Sequence, residues 1–167
     1  MTWLIWQFQD ELASALMLLA FIIAMLRGAS AERTMALAMI CQVPVLLIEQ
    51  LLFGSRNPAS SYQRVETGML LVDLMSLALY VAVALRANRN YPLLVAGAQL
   101  VAVMGHVVRA MNDDLLPRAY ASLVIAPTHF QIIVLIVGTL AHARRERRFG
   151  PYPSWRHTGT ARDHQVA

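Results

Sequence analysis

The sequence predicts an all-α fold, an integral membrane helical bundle of five transmembrane helices, and three observations carry that expectation. Of the 167 residues, 57% are hydrophobic and 14% charged, with a mean hydropathy of +0.51. Soluble domains hold about 45–50% apolar and about 25% charged residues. Five apolar runs approach the ~20 residues that a helix needs to cross the hydrocarbon layer. The segments between the runs are short, which makes successive helices antiparallel neighbours. No run alternates with period two, as an outer-membrane barrel would require.

The first run, 4–26, is LIWQFQDELASALMLLAFIIAML, preceded by Trp3 and containing Trp6, two residues suited to a membrane interface. Ala29, Ser30 and Ala31 imitate a signal-peptide cleavage site. The lack of a positive leader, the acidic pair Asp10 and Glu11, and Arg27 ahead of the site argue for a retained helix instead. The second run, 34–53, contains Pro44, which frees a carbonyl and predicts a kink. The third covers 66–85. The fourth, 91–111, starts after Asn90 with Pro92 in its first turn, where no amide bond is lost. The fifth, 120–142, carries Pro127 and a second expected kink. Residues 143–167 are too polar and too rich in Pro and Gly to build a core, which predicts a basic, disordered cytoplasmic tail.

Charge sets an expected orientation. All fourteen basic residues are arginine, so Schiff-base and P-loop chemistry, which need lysine, are excluded. With the C-terminus inside, Arg27, Arg33, Arg86, Arg89, Arg144, Arg145, Arg147, Arg148, Arg156 and Arg162 share the inner face. Arg56, Arg64, Arg109 and Arg118 remain on the outer one. Cytoplasmic flanks collect positive charge, so the expectation is N-out and C-in. Arginines flanking apolar runs point to lipid headgroups rather than to nucleic acid, with Arg144, Arg145, Arg147 and Arg148 as anionic-lipid contacts. Cys41 is the single cysteine, so neither an intrachain disulfide nor a cysteine zinc site is available.

The ionisable residues inside the runs fall into stripes. Gln42 and Glu49, Glu66 and Asp73, Asp73 and Tyr80, and Gln99 and His106 are each seven apart, a spacing that returns to within about 20° of the same helix face. Arg109 extends the His106 stripe by one turn, and Gln7, Glu11 and Ser14 form a similar face on the first run. Exposing an acid or an arginine at the hydrocarbon centre costs about 2.5–3.5 kcal/mol. The stripes, joined by His129 as an ionisable residue at similar depth in the fifth run, predict a buried cluster of Glu49, Asp73, His106, Arg109 and His129 in the outer leaflet, supported by Gln42, Gln99, Tyr80 and Glu11. Arg109 is expected to pair with Glu49 or Asp73.

The leading functional expectation is a small non-catalytic membrane component, accessory or structural, whose cluster fixes helix register. An alternative is proton or cation handling, with Asp73 and Glu49 binding and His106 and His129 carrying protons. A third is a haem b held by His106 and His129; otherwise neither a cofactor nor a metal is expected. The scan for HExxH, GxSxG, GxGxxG and Walker A motifs finds none, and Asp113 and Asp114 read as a solvated turn, so no enzyme is expected. Expected partners are the bilayer and either a membrane protein or a second copy of the chain.

ANRNYPLLVAGAQLVAVMGHVVR followed by APTHFQIIVLIVGT resembles small uncharacterised bacterial polytopic inner-membrane proteins. The resemblance covers the second half of the chain. It implies a bacterial cytoplasmic membrane and no activity.

Overall fold

The computed structural model describes residues 2–53, 67–112 and 114–155, with the side chains of 2–11, 46, 49, 50, 52 and 53 outside the description. These residues form α1 (Thr2–Arg27), α2 (Ser30–Ile40), α3 (Gln42–Phe53), α4 (Thr67–Arg86), α5 (Tyr91–Met111) and α6 (Pro117–Phe149). The second expected run is thus two helices. Cys41 keeps right-handed helical geometry at φ −66° and ψ −16°, but Pro44 has no N–H to return to the Ile40 carbonyl, and the bond ladder lapses there. Pro127 does not divide α6, which runs through it.

α5 is the hub of the bundle, packed mainly on α6 and α4; α1 lies on α6 and α2, and α2 and α3 lie on α4. Small residues allow the close approaches. A Cβ on Gly105 would stand 3.0 Å from Leu123 Cβ, and one on Gly138 would stand 2.7 Å from Cγ of the Tyr91 ring. Ala20, Ala24, Met35, Tyr80, Val95 and Ile132 belong to the core that these contacts enclose. The outer surface is apolar, with Met75 74% and Leu85 65% exposed and further leucines, isoleucines and valines on every helix. A water-soluble monomer seldom carries so extensive an apolar surface. Thr67–Arg86, Tyr91–Met111 and Pro117–Phe149 are each long and apolar enough to cross a membrane, and Leu12–Arg27 adds a shorter apolar stretch.

One end of the bundle, the tail end, gathers the α1–α2 turn, the α4–α5 turn and the last turns of α6. The expectation of an unstructured tail beginning at 143 does not describe residues 143–155. Ala, Arg and Glu are good helix formers, and they carry α6 on to Phe149. Gly150 then stops it at φ 83°, a left-handed geometry that favours glycine, and its N–H bonds Glu146 O at 2.9 Å. The chain returns across the α4–α5 turn, where Asn88 N–H donates to Ser154 O at 3.0 Å and Ala87 bridges Trp155. Residues 156–167 lie outside the described residues.

Candidate functional site

Among the described residues, two polar clusters lie inside the bundle. The first joins α4, α5 and α6. Asp73 Oδ2 meets His106 Nε2 at 2.9 Å, and Asp73 Oδ1 accepts from Gln99 Nε2 at 2.9 Å. The seven-residue repeat of α5 therefore places Gln99 and His106, about two turns apart on one face, on a single carboxylate. Gln99 Oε1 in turn accepts from Gln131 Nε2 at 2.8 Å, and Tyr120 OH lies 2.6 Å from His106 Nδ1. The neutral tautomer that satisfies both contacts carries its proton on Nε2, donating to Asp73 and accepting from the Tyr120 hydroxyl. Beside this network, Gln42 Nε2 on α3 donates to Ser76 Oγ at 2.7 Å and to Tyr80 OH at 2.8 Å on α4.

Asp73, His106, Gln99, Gln42 and Tyr80 are thus brought into interhelical contacts, whereas two expected members are placed differently. Arg109 Nη1 donates to Leu115 O in the α5–α6 connection. It stands one turn beyond His106, so its long side chain reaches the loop, while the Asp73 carboxylate is taken by His106 and Gln99. His129 Nδ1 donates to Ile125 O of its own helix at 3.1 Å. The physical reason is helical phase: at about 100° per residue, His129 lies roughly 200° from both Pro127 and Gln131, two buried residues on the inner face of α6. The side chains of Glu49 and Glu11 lie outside the described residues.

Haem ligation does not fit this geometry. Both ring nitrogens of His106 are engaged by Asp73 and Tyr120, and His129 is turned away. Among the described residues no group of three or more His, Cys, Asp and Glu side chains is arranged to hold a metal ion.

The second cluster sits at the tail end and was not anticipated from the sequence. Glu32, fully buried, forms an ion pair with Arg89, whose side chain is 5% exposed. Glu32 Oε2 also accepts from Ala29 N–H at 3.1 Å, capping the start of α2. The Arg89 guanidinium lies 5.1 Å from the Tyr152 ring centroid, and that of Arg145 lies 5.7 Å from it. Tyr152 OH meets His142 Nδ1 at 2.9 Å, and His142 Nε2 is 3.5 Å from Glu146 Oε2. Burial lowers the Arg89 pKa from its ordinary value, opposed by nearby Tyr152, Tyr91 and Glu146. A glutamate three residues into a helix start is the one sequence signal that singles out Glu32. Arg89 carries none, because RANRN reads as an ordinary charged turn. Arg144, Arg145, Arg147 and Arg148 are exposed on the last turns of α6.

Apolar spans wrapped around interhelical polar contacts define the class, a small multi-pass helical membrane protein. Comparison of the chain with protein-family models, with curated proteins and with solved structures finds no match.

Proposed function

We infer that the protein is a small non-catalytic component of a bacterial inner membrane, crossing the bilayer five times with its N-terminus outside and its C-terminus inside. In this reading the Asp73 cluster lies in the outer leaflet and holds α4, α5 and α6 in register. The exposed arginines at the end of α6 meet anionic headgroups on the inner side. A membrane partner or a second copy of the chain would pack against the apolar outer faces. The observation that carries the reading is mutual satisfaction: Asp73, Gln99, His106 and Gln131 each bond a side chain on another helix. Such a network specifies arrangement rather than turnover. The orientation is supported by the arginine distribution and is tested by fusing a reporter active only outside the cytoplasm to either terminus. Activity at the N-terminal fusion alone is expected, and the reverse pattern would invert the topology.

A second reading, proton handling, is favoured by one feature, the unbroken chain Tyr120–His106–Asp73. Asp73→Asn separates the two. The register reading predicts a loss of about 1–2 kcal/mol in stability, because a charge-assisted bond becomes a neutral one. It also predicts no change in proton entry into vesicles holding the purified protein. Gradient-driven proton flux through the wild type, abolished in a fully folded Asp73→Asn variant, would replace the register reading with the second.

A further inference from the structure

Among the described residues, the buried side-chain polar atoms without a hydrogen-bond partner are Arg89 Nε, Arg89 Nη2, Tyr91 OH and Thr139 Oγ1. All four belong to the tail end, and none to the Asp73 network. Native proteins leave few buried polar groups unsatisfied, so orphans concentrated in one place point to something that satisfies them.

The identity of the atoms indicates what that is. Nε and Nη2 are the edge of the guanidinium whose two N–H bonds run parallel, the geometry that matches two oxygens of a phosphate or carboxylate. Glu32 engages the other terminal nitrogen, Nη1, and so restrains the group while leaving this edge unused. The Tyr152 ring covers the guanidinium plane at 5.1 Å. Tyr91 follows two residues after Arg89 and opens α5, where the helix dipole favours negative charge. Its ring lies against Gly138, the neighbour of Thr139, which is fully buried. Tyr91 and Arg89 are close enough to act on each other electrostatically, and Thr139 follows the glycine on which the Tyr91 ring packs. Glu32 balances the charge of Arg89, while Arg145, over the same Tyr152 ring, adds a positive charge and Glu146 a negative one, so it is the directed N–H fork of Arg89 rather than net charge that suits an oxyanion. His142 Nδ1 meets Tyr152 OH at 2.9 Å, and His142 Nε2 stands 3.5 Å from Glu146 Oε2.

We propose that the junction of the α4–α5 turn with the last turns of α6 binds one phosphate-type oxyanion, held by the Nε/Nη2 edge of Arg89 and by the Tyr91 and Thr139 hydroxyls. Two sources share this chemistry, free inorganic phosphate and the phosphodiester of an anionic lipid headgroup. The site complements the register reading and does not depend on it.

The test uses the full chain purified in a neutral, phosphate-free detergent. Its melting temperature is followed against inorganic phosphate, with chloride at equal ionic strength as the control, and separately against phosphatidylglycerol, with a neutral glycolipid as the control. A saturable rise with one of the two ligands is expected, and which one identifies the source. Tyr91→Phe combined with Thr139→Val removes two orphan hydroxyls without leaving an unpaired group. It should lower the apparent affinity by about tenfold or more, with the ligand-free melting temperature unchanged or raised. Arg89→Lys keeps the charge, loses the fork, and should weaken binding by a similar factor. No saturable shift with either ligand, or wild-type affinity in the double variant, overturns the proposal.

Discussion

Glu32→Ala is expected to lower the stability of the folded protein by about 3–5 kcal/mol, the usual cost of stranding one member of a buried ion pair. Glu32 is fully buried and Arg89 nearly so. Removing the carboxylate leaves a guanidinium under the Tyr152 ring without its counter-charge. The substitution also takes away the acceptor for Ala29 N–H and so loosens the start of α2. Glu32→Gln should cost less, since one amide oxygen can still serve either donor, though not both. Removing both charges in Glu32→Ala with Arg89→Leu should recover part of the loss, because paired apolar replacements of buried ions are often tolerated. Reversible unfolding in mixed detergent micelles measures all three. A loss below about 1 kcal/mol for Glu32→Ala would mean that the pair behaves as a solvated surface contact.

His106→Phe, which keeps an aromatic ring of similar girth and deletes both nitrogens, should destabilise by about 3 kcal/mol. Bonds to charged groups contribute about 1.5–3 kcal/mol each, and Asp73 loses one such bond while Tyr120 loses its contact with the ring. Interhelical hydrogen bonds in membranes average only about 0.6 kcal/mol, which sets the scale for the opposite outcome. A loss near that value would show that the network adds little to holding the helices. A double-mutant cycle with Asp73→Asn isolates the pair, and a coupling of about 1 kcal/mol or more is expected for residues in direct contact.

The ends of α4 and α5 were legible in the sequence, whereas the division of the second run and the extension of α6 to Phe149 were not. The expected run 91–111 coincides with α5 and 66–85 lies one residue from α4. Stripe spacing, applied to the first four runs, led on α4 and α5 to Asp73, Gln99 and His106. It was not applied to the fifth run, where His129 was chosen for its chemistry. The phase of α6 puts Tyr120, Pro127 and Gln131 inside and His129 elsewhere. The Glu32–Arg89 pair was not legible for a different reason. Its members are 57 positions apart, one in the first turn of α2 and the other in the α4–α5 connection, and no periodicity links two such places.

The sequence by itself determined that this chain forms apolar rods of membrane-crossing length and which polar residues share a rod's face. Backbone groups in lipid must be satisfied within their own helix, so length and composition suffice for that. Only the tertiary structure decided the partners: Asp73 with His106 rather than Arg109, Gln131 in place of His129, and Arg89 against Glu32 and Tyr152. Those choices depend on how far each helix is rotated and how closely Gly105 and Gly138 let its neighbours approach. Rotation and approach are properties of the packed bundle, set by contacts between segments rather than by any pattern within one.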